Sequence, residues 1–304
     1  ADLNRNFTFG WNSTNGQGSS GSACNDTYRG PSAGSEPEIQ ALESYVRSLW
    51  PDRRGPGKND AAPSDTSGIH LDIHSYSELV LWPWGDTSQA APNGTALQTL
   101  GRKFALFNGY APQQSIGLYP TDGTSDGISY GELGVAAYTF ELGTQFFQSC
   151  TVYQNTIKPK NLPALIYAAK VVRTPYTTPG GPDISNLALS GNASSGVPAG
   201  TLVTLSATAS DLGFSTRNGT EPTQNVTAAE YYIDKAPWES GAQQDRGPDR
   251  QHRHHGAAAW QAHGLCPRAR CVRHLGRTVS RVSGDRFGPG AAKLLQRGQR
   301  QCQR

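Results

Sequence analysis

Apolar residues at helical spacing follow a start signal near residue 35. Ser35-Glu36-Pro37-Glu38 has the Ser-x-x-Glu spacing of a capping box, with a proline in the first turn. The pattern predicts an amphipathic helix that ends at about Trp50. Its apolar positions are Ile39, Leu42, Val46 and Leu49.

A second start signal lies at Asn161 and Pro163, because proline is tolerated in the first turn of a helix. We expect a helix there whose apolar residues pack inward. These residues are Leu165, Ile166, Ala169 and Val172.

Strand-like runs occupy the region between these two helices. Residues 69–74, 79–84 and 135–142 are rich in strand-forming residues, and a helical stretch lies near 95–108. Strands separated by helices indicate an α/β fold. The sequence therefore predicts a mixed β-sheet flanked by helices over residues 1–174.

The periodicity changes after a segment rich in proline, glycine and threonine, residues 175–183, which is typical of a linker. Strand-like alternation and the run Tyr231-Tyr232-Ile233 follow it. The sequence predicts an incomplete, small all-β immunoglobulin-like sandwich over residues 184–240. The alternating apolar residues are Val203, Leu205, Ala207 and Ala209.

Charge separates the last part of the chain from the rest. Residues 1–240 carry a net charge of −7 and residues 241–304 a net charge of +10, with 12 Arg and a single Lys. Such a tail can bind nucleic acid or another anionic surface, or, being rich in histidine, a metal. We favour a third interpretation, a reading-frame shift that replaced the last strands of the sandwich, and expect residues 241–304 to be disordered.

Composition limits the remaining classes. No apolar run reaches membrane-spanning length, and five cysteines are too few for a disulfide scaffold. The chain contains no methionine and begins at Ala1. We therefore expect a processed product or a fragment of a longer protein.

Three short segments carry the candidate chemistry. Glu141 is the lone carboxylate in the strand-forming stretch 134–144, where an unpaired charge is costly unless it has a role. His74 ends the strand-like run 69–74 and is followed by Ser75-Tyr76-Ser77-Glu78. Asp2-Leu3-Asn4-Arg5-Asn6-Phe7 opens the chain. Taken singly, these residues could equally be a satisfied buried histidine, a buried salt-bridge glutamate and a surface arginine.

Together, in this order and spacing, the three segments resemble the metallocarboxypeptidases of the zinc carboxypeptidase A/B and T type. The resemblance extends over about residues 1–180 and includes Thr27-Tyr28-Arg29-Gly30-Pro31 and Tyr119. It implies a secreted exopeptidase that removes C-terminal amino acids. It also favours the fragment interpretation, since the family has an upstream portion with a His-x-x-Glu zinc motif and a further arginine.

The resemblance implies a role for each matching residue. His74 would be a Zn²⁺ ligand, with two further ligands upstream, and Glu141 would be the catalytic base that takes a proton from water. Asn4 and Arg5 would bind the substrate carboxylate, and Asp2 would orient a zinc-ligating histidine. The remaining substrate-binding residues would be Ser75, Tyr76, the mobile Tyr119 and Asp126.

Asp126 matches the position at the base of the specificity pocket, where an aspartate would attract a C-terminal Lys or Arg. A solvated loop aspartate is the ordinary alternative. Ile128 replaces the tryptophan usual in the family, which alters the expected pocket. His70 lies four residues before His74 on a strand, too far for a shared metal, and receives no role.

The leading hypothesis is thus that the chain is part of a zinc carboxypeptidase that acts on peptide or protein C-termini. We expect it to be a monomer with no nucleic-acid or membrane partner. A non-catalytic secreted binding or adhesion protein with a degenerate peptidase fold is the alternative. A cell-wall amidase is a third possibility, disfavoured by the Asn4-Arg5 pair. With one zinc ligand of three, the chain by itself is expected to be inactive.

Overall fold

A computed structural model describes residues 1–198, 201–232, 240, 244–245, 252–254, 257–265, 279–284 and 292–295. The chain divides into two compact units. The first contains residues 1–180 together with 214–221, and the second contains residues 181–213 and 222–304.

The first unit alternates helices with short strands. Its helices are α1 (Pro37–Leu49), α2 (Gly94–Asn108), α3 (Cys150–Val152) and α4 (Lys158–Val171). Its strands are β1 (Ile69–His74), β2 (Leu79–Trp82), β3 (Ala111–Gln114) and β4 (Ala136–Glu141). Shorter 3₁₀ or π turns are Leu3–Arg5, Ser115–Gly117, Gly127–Glu132, Tyr153–Ile157 and Thr178–Gly180. Across the described ranges, no helix combines the length and the apolar character that crossing a bilayer requires.

The four strands form one mixed sheet in the order β1-β4-β2-β3. β1 and β4 are parallel, β4 and β2 are antiparallel, and β2 and β3 are parallel. The prediction of a mixed sheet flanked by helices is therefore confirmed. Because β1 and β4 run in the same direction, their carboxyl ends meet at one edge of the sheet.

Two clusters of buried apolar side chains stabilise this unit. The larger joins β2, β4, α2 and α4, with Phe104 packed edge-on against Tyr138 and Phe140. The smaller joins α1 to the segment before β4. Burial of such side chains contributes about 1.5–3 kcal/mol each. The members of the smaller cluster are Phe7, Ile39, Val46, Ile128, Leu133 and Val135.

Helix α1 confirms the predicted helix, although its first turn differs from the expected capping box. Glu36 is the N-cap and makes no side-chain cap hydrogen bond, while Ser35 Oγ donates to Glu36 Oε1 at 2.9 Å. Pro37 occupies the first helical position, where the absence of an N–H costs nothing. Ile39 and Val46 are buried as expected.

The prediction of which residues of the second helix pack inward was wrong. Leu165, Ile166 and Val172 are exposed, and Ala169 is exposed as well. Helix α4 begins at Lys158, so Pro163 lies inside it, and the helix packs against α2. Contact with α2 selects a different stripe at helical spacing. The residues of α4 that are buried are Asn161, Ala164, Tyr167, Ala168 and Val171.

Residues 214–221 belong to the first unit although they follow two strands of the second. Arg102 of α2 forms an ion pair with Glu221 at 3.0 Å, and both side chains are about 5% exposed. Lys103 Nζ lies 3.8 Å from the ring centroid of Phe214. Thr99 Oγ1 donates to Glu221 Oε2 at 2.9 Å. The segment therefore covers two basic residues of α2.

The second unit is built from antiparallel strands in two four-stranded sheets, ordered β5-β6-β10-β9 and β12-β11-β7-β8. Its described strands are β5 (Asp183–Leu189), β6 (Leu202–Ser210), β7 (Val226–Tyr232), β8 (Gln244–Asp245), β9 (His252–His254), β10 (Ala257–Leu265), β11 (Val279–Gly284) and β12 (Ala292–Leu295).

The domain boundaries drawn from the sequence, and the immunoglobulin-like assignment of 184–240, stay predictions. Much of residues 241–304 lies outside the described residues, and the part that is described contributes β8–β12. The frameshift interpretation of this tail and its expected disorder also stay predictions.

Candidate active site

His74 and Glu141 lie side by side at the edge where β1 and β4 end. They are register partners in the parallel ladder. Glu141 is only 8% exposed, and no described residue makes a hydrogen bond or an ion pair with its carboxylate. The site therefore contains a nearly buried acid with an imidazole as its neighbour on the next strand.

Asp72 holds the imidazole ring of His74. The two residues are two positions apart on β1, so their side chains lie on the same face of the strand. His74 Nε2 lies 3.1 Å from Asp72 Oδ2, and Ser125 Oγ donates to the same oxygen. Among the described residues, His74 Nδ1 has no partner. The tautomer with the proton on Nε2 satisfies this arrangement.

Asn4 links the opening segment to this pair. Its Oδ1 accepts a hydrogen bond from the Ser125 backbone N–H at 2.9 Å, and its Nδ2 lies 3.5 Å from His74 Nε2. Asn4, Ser125, Asp72 and His74 thus form a ring of contacts drawn from three distant parts of the chain, in which the approach of Asn4 Nδ2 to the protonated His74 Nε2 brings two donors together and is not a hydrogen bond.

Arg5 is buried beside Asn4 rather than paired at the surface. Its Nε donates to the Gly18 carbonyl at 3.0 Å, and its Nη1 donates to the Asn4 carbonyl at 2.7 Å. Asp2 Oδ2 is 4.0 Å from Arg5 Nη1, and Asp2 Oδ1 accepts from the Asn4 N–H at 3.0 Å. Backbone acceptors fix the orientation of the guanidinium, and no described residue accepts a hydrogen bond from Nη2.

Burial and neighbouring charges shift the titration of these groups. The hydrogen bond to Asp72 raises the pKa of His74 above its usual value, against the effect of burial. Burial acts to raise the pKa of Asp72, but hydrogen bonds from His74 and Ser125 outweigh it, so this pKa is lowered. Burial raises the pKa of Glu141, which His74 partly offsets. A carboxyl with a raised pKa exchanges protons more readily near neutral pH.

Ser75, Tyr76 and Tyr119 lie outside the ring of contacts. Ser75 Oγ donates to the Phe146 carbonyl at 3.3 Å, and the Tyr76 and Phe146 rings meet edge-on at 4.9 Å. Tyr119 is 50% exposed, and its side chain makes no hydrogen bond or ring contact with any described residue. About half of its surface is therefore open to solvent.

Asp126 follows Ser125 and is partly buried in a hollow between the segment 121–127 and the aromatic residues Phe9 and Trp84. Its carboxylate accepts a hydrogen bond from Thr124 Oγ1. Burial raises its pKa, and the hydrogen bond from Thr124 works in the opposite direction. It is thus neither a fully solvated loop residue nor a member of the Asn4–His74 ring of contacts.

His70, which received no role, is half-buried and contacts a buried hydroxyl. Its Nδ1 lies 2.5 Å from Ser129 Oγ, and Ser129 is fully buried. Burial lowers the pKa of His70. A neutral histidine hydrogen-bonded to a buried hydroxyl is a packing arrangement.

The described residues do not by themselves fit a catalytic zinc ion. Such a site needs three protein ligands and an open position. No group of three or more His, Cys, Asp or Glu side chains in the described residues is arranged to hold a metal. His74 alone has the character of a ligand, because its Nε2 is held by a carboxylate and its Nδ1 is unoccupied by any described residue.

Sequence reasoning missed Asp72 and Ser125. The signal for Asp72 was present, since position i−2 on a strand shares the face of His74. The signal for Ser125 was not, because its contacts with Asn4 and Asp72 join residues more than fifty positions apart.

Residues 1–162 match the family model described as zinc carboxypeptidase. This match covers more than half of the chain, and it confirms the resemblance identified from the motifs.

Individual relatives show the same similarity. Zinc carboxypeptidase A 1 of Anopheles gambiae is 37% identical over 150 residues, which is 47% of this chain and 31% of the relative. Carboxypeptidase B of Bos taurus is 31% identical over 166 residues, 52% of this chain and 36% of the relative. This chain therefore matches about a third of the length of each relative. A solved structure, that of thrombin activatable fibrinolysis inhibitor, is 26% identical to this chain in sequence and gives a TM-score of 0.43. The match covers 56% of this chain and 40% of that protein's chain.

Proposed function

This chain belongs to the zinc carboxypeptidase family, and we propose that residues 1–174 are the C-terminal part of a catalytic domain that hydrolyses the last peptide bond of peptides and proteins. The observation that carries the proposal is the pairing of a nearly buried Glu141 with His74 across β1 and β4. Burying an unpaired carboxylate in this position lowers the stability of the fold, which favours a functional role for Glu141.

In the proposed reaction Glu141 handles the proton. Its carboxylate accepts a proton from the water that attacks the scissile carbonyl and then delivers it to the leaving amine. Two features support this role: burial raises the pKa of Glu141, and no described residue occupies its oxygens. His74 is the register partner of this carboxylate on the adjacent strand.

Asn4 and Arg5 bind the terminal carboxylate of the substrate in this proposal. A guanidinium offers two parallel N–H donors to a carboxylate. The carbonyls of Gly18 and Asn4 already fix the Arg5 guanidinium, so its remaining donors are oriented before the substrate arrives. Asp2 caps the turn that carries both residues.

Zinc enters the proposal through the family rather than through the described residues. We propose that His74 supplies one ligand, that two further ligands come from a His-x-x-Glu segment upstream, and that Asp2 orients a histidine of that segment. When bound, such an ion polarises the scissile carbonyl and acidifies water. By itself this chain is then inactive.

Substrate selection is assigned to the residues around the last side chain. We propose that Asp126 favours C-terminal Lys or Arg, with tolerance for neutral residues because Ile128 alters the pocket. Tyr119 would close over the substrate, which its exposed position permits. Ser75 and Tyr76 would contact the preceding part of the peptide. The protein would act as a secreted monomer.

The test uses the protein that carries residues 1–304 together with the proposed upstream ligands. Two peptides of identical sequence are compared, one ending in a free carboxylate and one in an amide. Mass spectrometry should show stepwise loss of C-terminal residues from the first peptide only. Internal cleavage, or equal trimming of both peptides, would reject an exopeptidase. Absence of any cleavage with zinc supplied would favour the non-catalytic binding protein.

A further inference from the structure

An acidic hollow with an aromatic wall adjoins the candidate active site. Trp84 and Phe9 line it, stacked 5.8 Å apart, and three carboxylates, those of Asp86, Asp122 and Asp126, line it as well. Asp122 is nearly fully buried, and its Oδ2 accepts hydrogen bonds from Thr14, whereas its Oδ1 has no hydrogen-bond partner among the described residues. Carboxylates beside an aromatic face attract an organic cation.

The chain places one of its own cations against this wall. Lys58 Nζ contacts Asp86 Oδ2 and lies 5.2 Å from the ring centroid of Trp84. Ser13 Oγ donates to the same oxygen of Asp86 at 2.7 Å. The Asp86 side chain is 11% exposed, so the ion pair is shielded from water on the carboxylate side. Such a pair is stronger than one between two solvated groups.

A buried arginine fixes the position of Lys58. Arg54 Nη2 donates to the carbonyls of Gly57 and Lys58 at 2.9 and 3.0 Å, and its guanidinium lies 5.2 Å from the Trp84 centroid. Arg54 is 5% exposed. The Gly57 N–H donates to Asp60 Oδ2 at 2.7 Å and closes the turn. Lys58 is therefore held against the wall by its backbone as well as by its side chain.

We propose that Lys58 is a specificity-determining residue, which neutralises Asp86 in the wall of the hollow and so limits how strongly the hollow attracts a basic C-terminal side chain. This inference rests on the proposed function for the identity of the ligand. Lys58 contacts a carboxylate and an aromatic ring that also line the hollow. Its positive charge therefore opposes the attraction that an incoming Lys or Arg side chain would meet there.

Binding to the 304-residue chain measures this effect of charge without turnover. The ligands are N-acetyl-Gly-Arg and N-acetyl-Gly-Phe, both with free carboxylates, titrated by calorimetry at low ionic strength. Lys58→Gln should bind the arginine ligand about fivefold more tightly or better, because it removes a positive charge from the wall. Asp86→Asn should weaken that binding by a similar factor, and the double variant should return to near the wild-type value.

Two controls separate charge from structure. Lys58→Arg keeps the charge and should bind like wild type, and the phenylalanine ligand should change less than about twofold in every variant. The differences in affinity between the variants should shrink in 0.5 M salt, because the Debye screening length, about 10 Å at 0.1 M, becomes shorter as the salt concentration rises. Circular dichroism should show that all variants keep their folded spectrum.

The inference is overturned if Lys58→Gln leaves arginine binding unchanged, if both ligands respond equally, or if no form of the chain binds the arginine ligand. Its failure differs from failure of the proposed function. Cleavage by the complete protein without any effect of Lys58→Gln would reject only the role of Lys58. Charge-dependent arginine binding by a protein that cleaves nothing would reject only the peptidase reaction.

Discussion

His74 and Glu141 lie side by side as register partners at the carboxyl ends of the parallel strands β1 and β4. The parallel ladder brings an imidazole and a carboxylate from separate parts of the chain to one edge of the sheet. Each group affects the pKa of the other. Burial raises the pKa of Glu141, and the charge of His74 partly offsets that rise. The hydrogen bond to Asp72 raises the pKa of His74, and the charge of Glu141 raises it further.

Substitution of His74 should give a stability difference that depends on pH. The pKa of His74 is raised in the folded protein by the hydrogen bond to Asp72, so protonated His74 stabilises the fold below the ordinary pKa of about 6.5. This stabilisation is lost as the pH rises through the higher folded value. Thermal unfolding of wild type and His74→Gln, both in EDTA, should differ most near pH 6 and least near pH 9.

The same pair responds to acid through Asp72. The pKa of Asp72 is lowered in the folded protein, because hydrogen bonds from His74 and Ser125 outweigh the opposing effect of burial. Ionised Asp72 therefore stabilises the fold at a pH above its ordinary pKa, and this stabilisation is lost as the pH falls through the pKa of the folded state. A difference between wild type and His74→Gln that stays constant from pH 4 to pH 9 would contradict the pairing.

Glu141→Gln should stabilise the isolated chain at neutral pH. Burial raises the pKa of Glu141, so the folded state favours the protonated carboxyl, and ionisation costs stability as the pH rises through the folded value. A neutral isostere removes that cost. The melting temperature of the variant should exceed that of wild type at pH 8, and the two should converge near pH 4. A lower melting temperature of the variant at pH 8 would show that ionised Glu141 has a stabilising partner.

Loss of the Glu221 charge should destabilise the first unit strongly. Glu221→Gln leaves Arg102 buried and uncompensated, which typically costs about 3–5 kcal/mol. The matched control is Asp65→Asn, because the Arg53–Asp65 pair at 2.7 Å has side chains 41% and 75% exposed. That control should cost less than about 1 kcal/mol. Urea denaturation of the 304-residue chain measures both, and equal costs would show that residues 214–221 do not pack on α2.

An element of the fold could be predicted from the sequence where its pattern of apolar residues is confined to the element itself. Strands β1 and β4 and helix α2 were predicted to within a few residues, because their apolar patterns are self-contained. Strand β3, Ala111–Gln114, was missed, since it is largely polar and forms only by pairing with β2. The inward face of α4 was wrong because α2 decides it.

The site shows the same division. The family resemblance proposed Asn4, His74 and Glu141, and the structure places Asn4 Nδ2 3.5 Å from His74 Nε2 and makes Glu141 the register partner of His74. The hydrogen bonds of Ser125 to Asn4 and Asp72 depend on a loop conformation that no local pattern encodes. Tyr119 was named through the family resemblance, and its movement onto a substrate stays a prediction.

Asp126 should set the preference of the complete protein for basic C-terminal residues. Asp126→Asn keeps the size of the side chain and its contact with Thr124 but removes the charge, so kcat/KM for a Lys-ended peptide should fall by about tenfold or more relative to a Phe-ended peptide. Equal rates on both peptides in both forms would remove Asp126 from the specificity pocket.

The most direct measurement is the steady-state kinetics of Glu141→Gln in the complete, zinc-loaded protein, with Glu38→Gln, an exposed carboxylate in the first turn of α1, as the matched control. Because the role assigned to Glu141 is proton transfer, kcat should fall by about 10²–10⁴-fold while KM stays within about threefold. The control should retain wild-type rates. Turnover of Glu141→Gln within a few-fold of wild type would contradict the assignment of the catalytic base and, with it, the proposed active site.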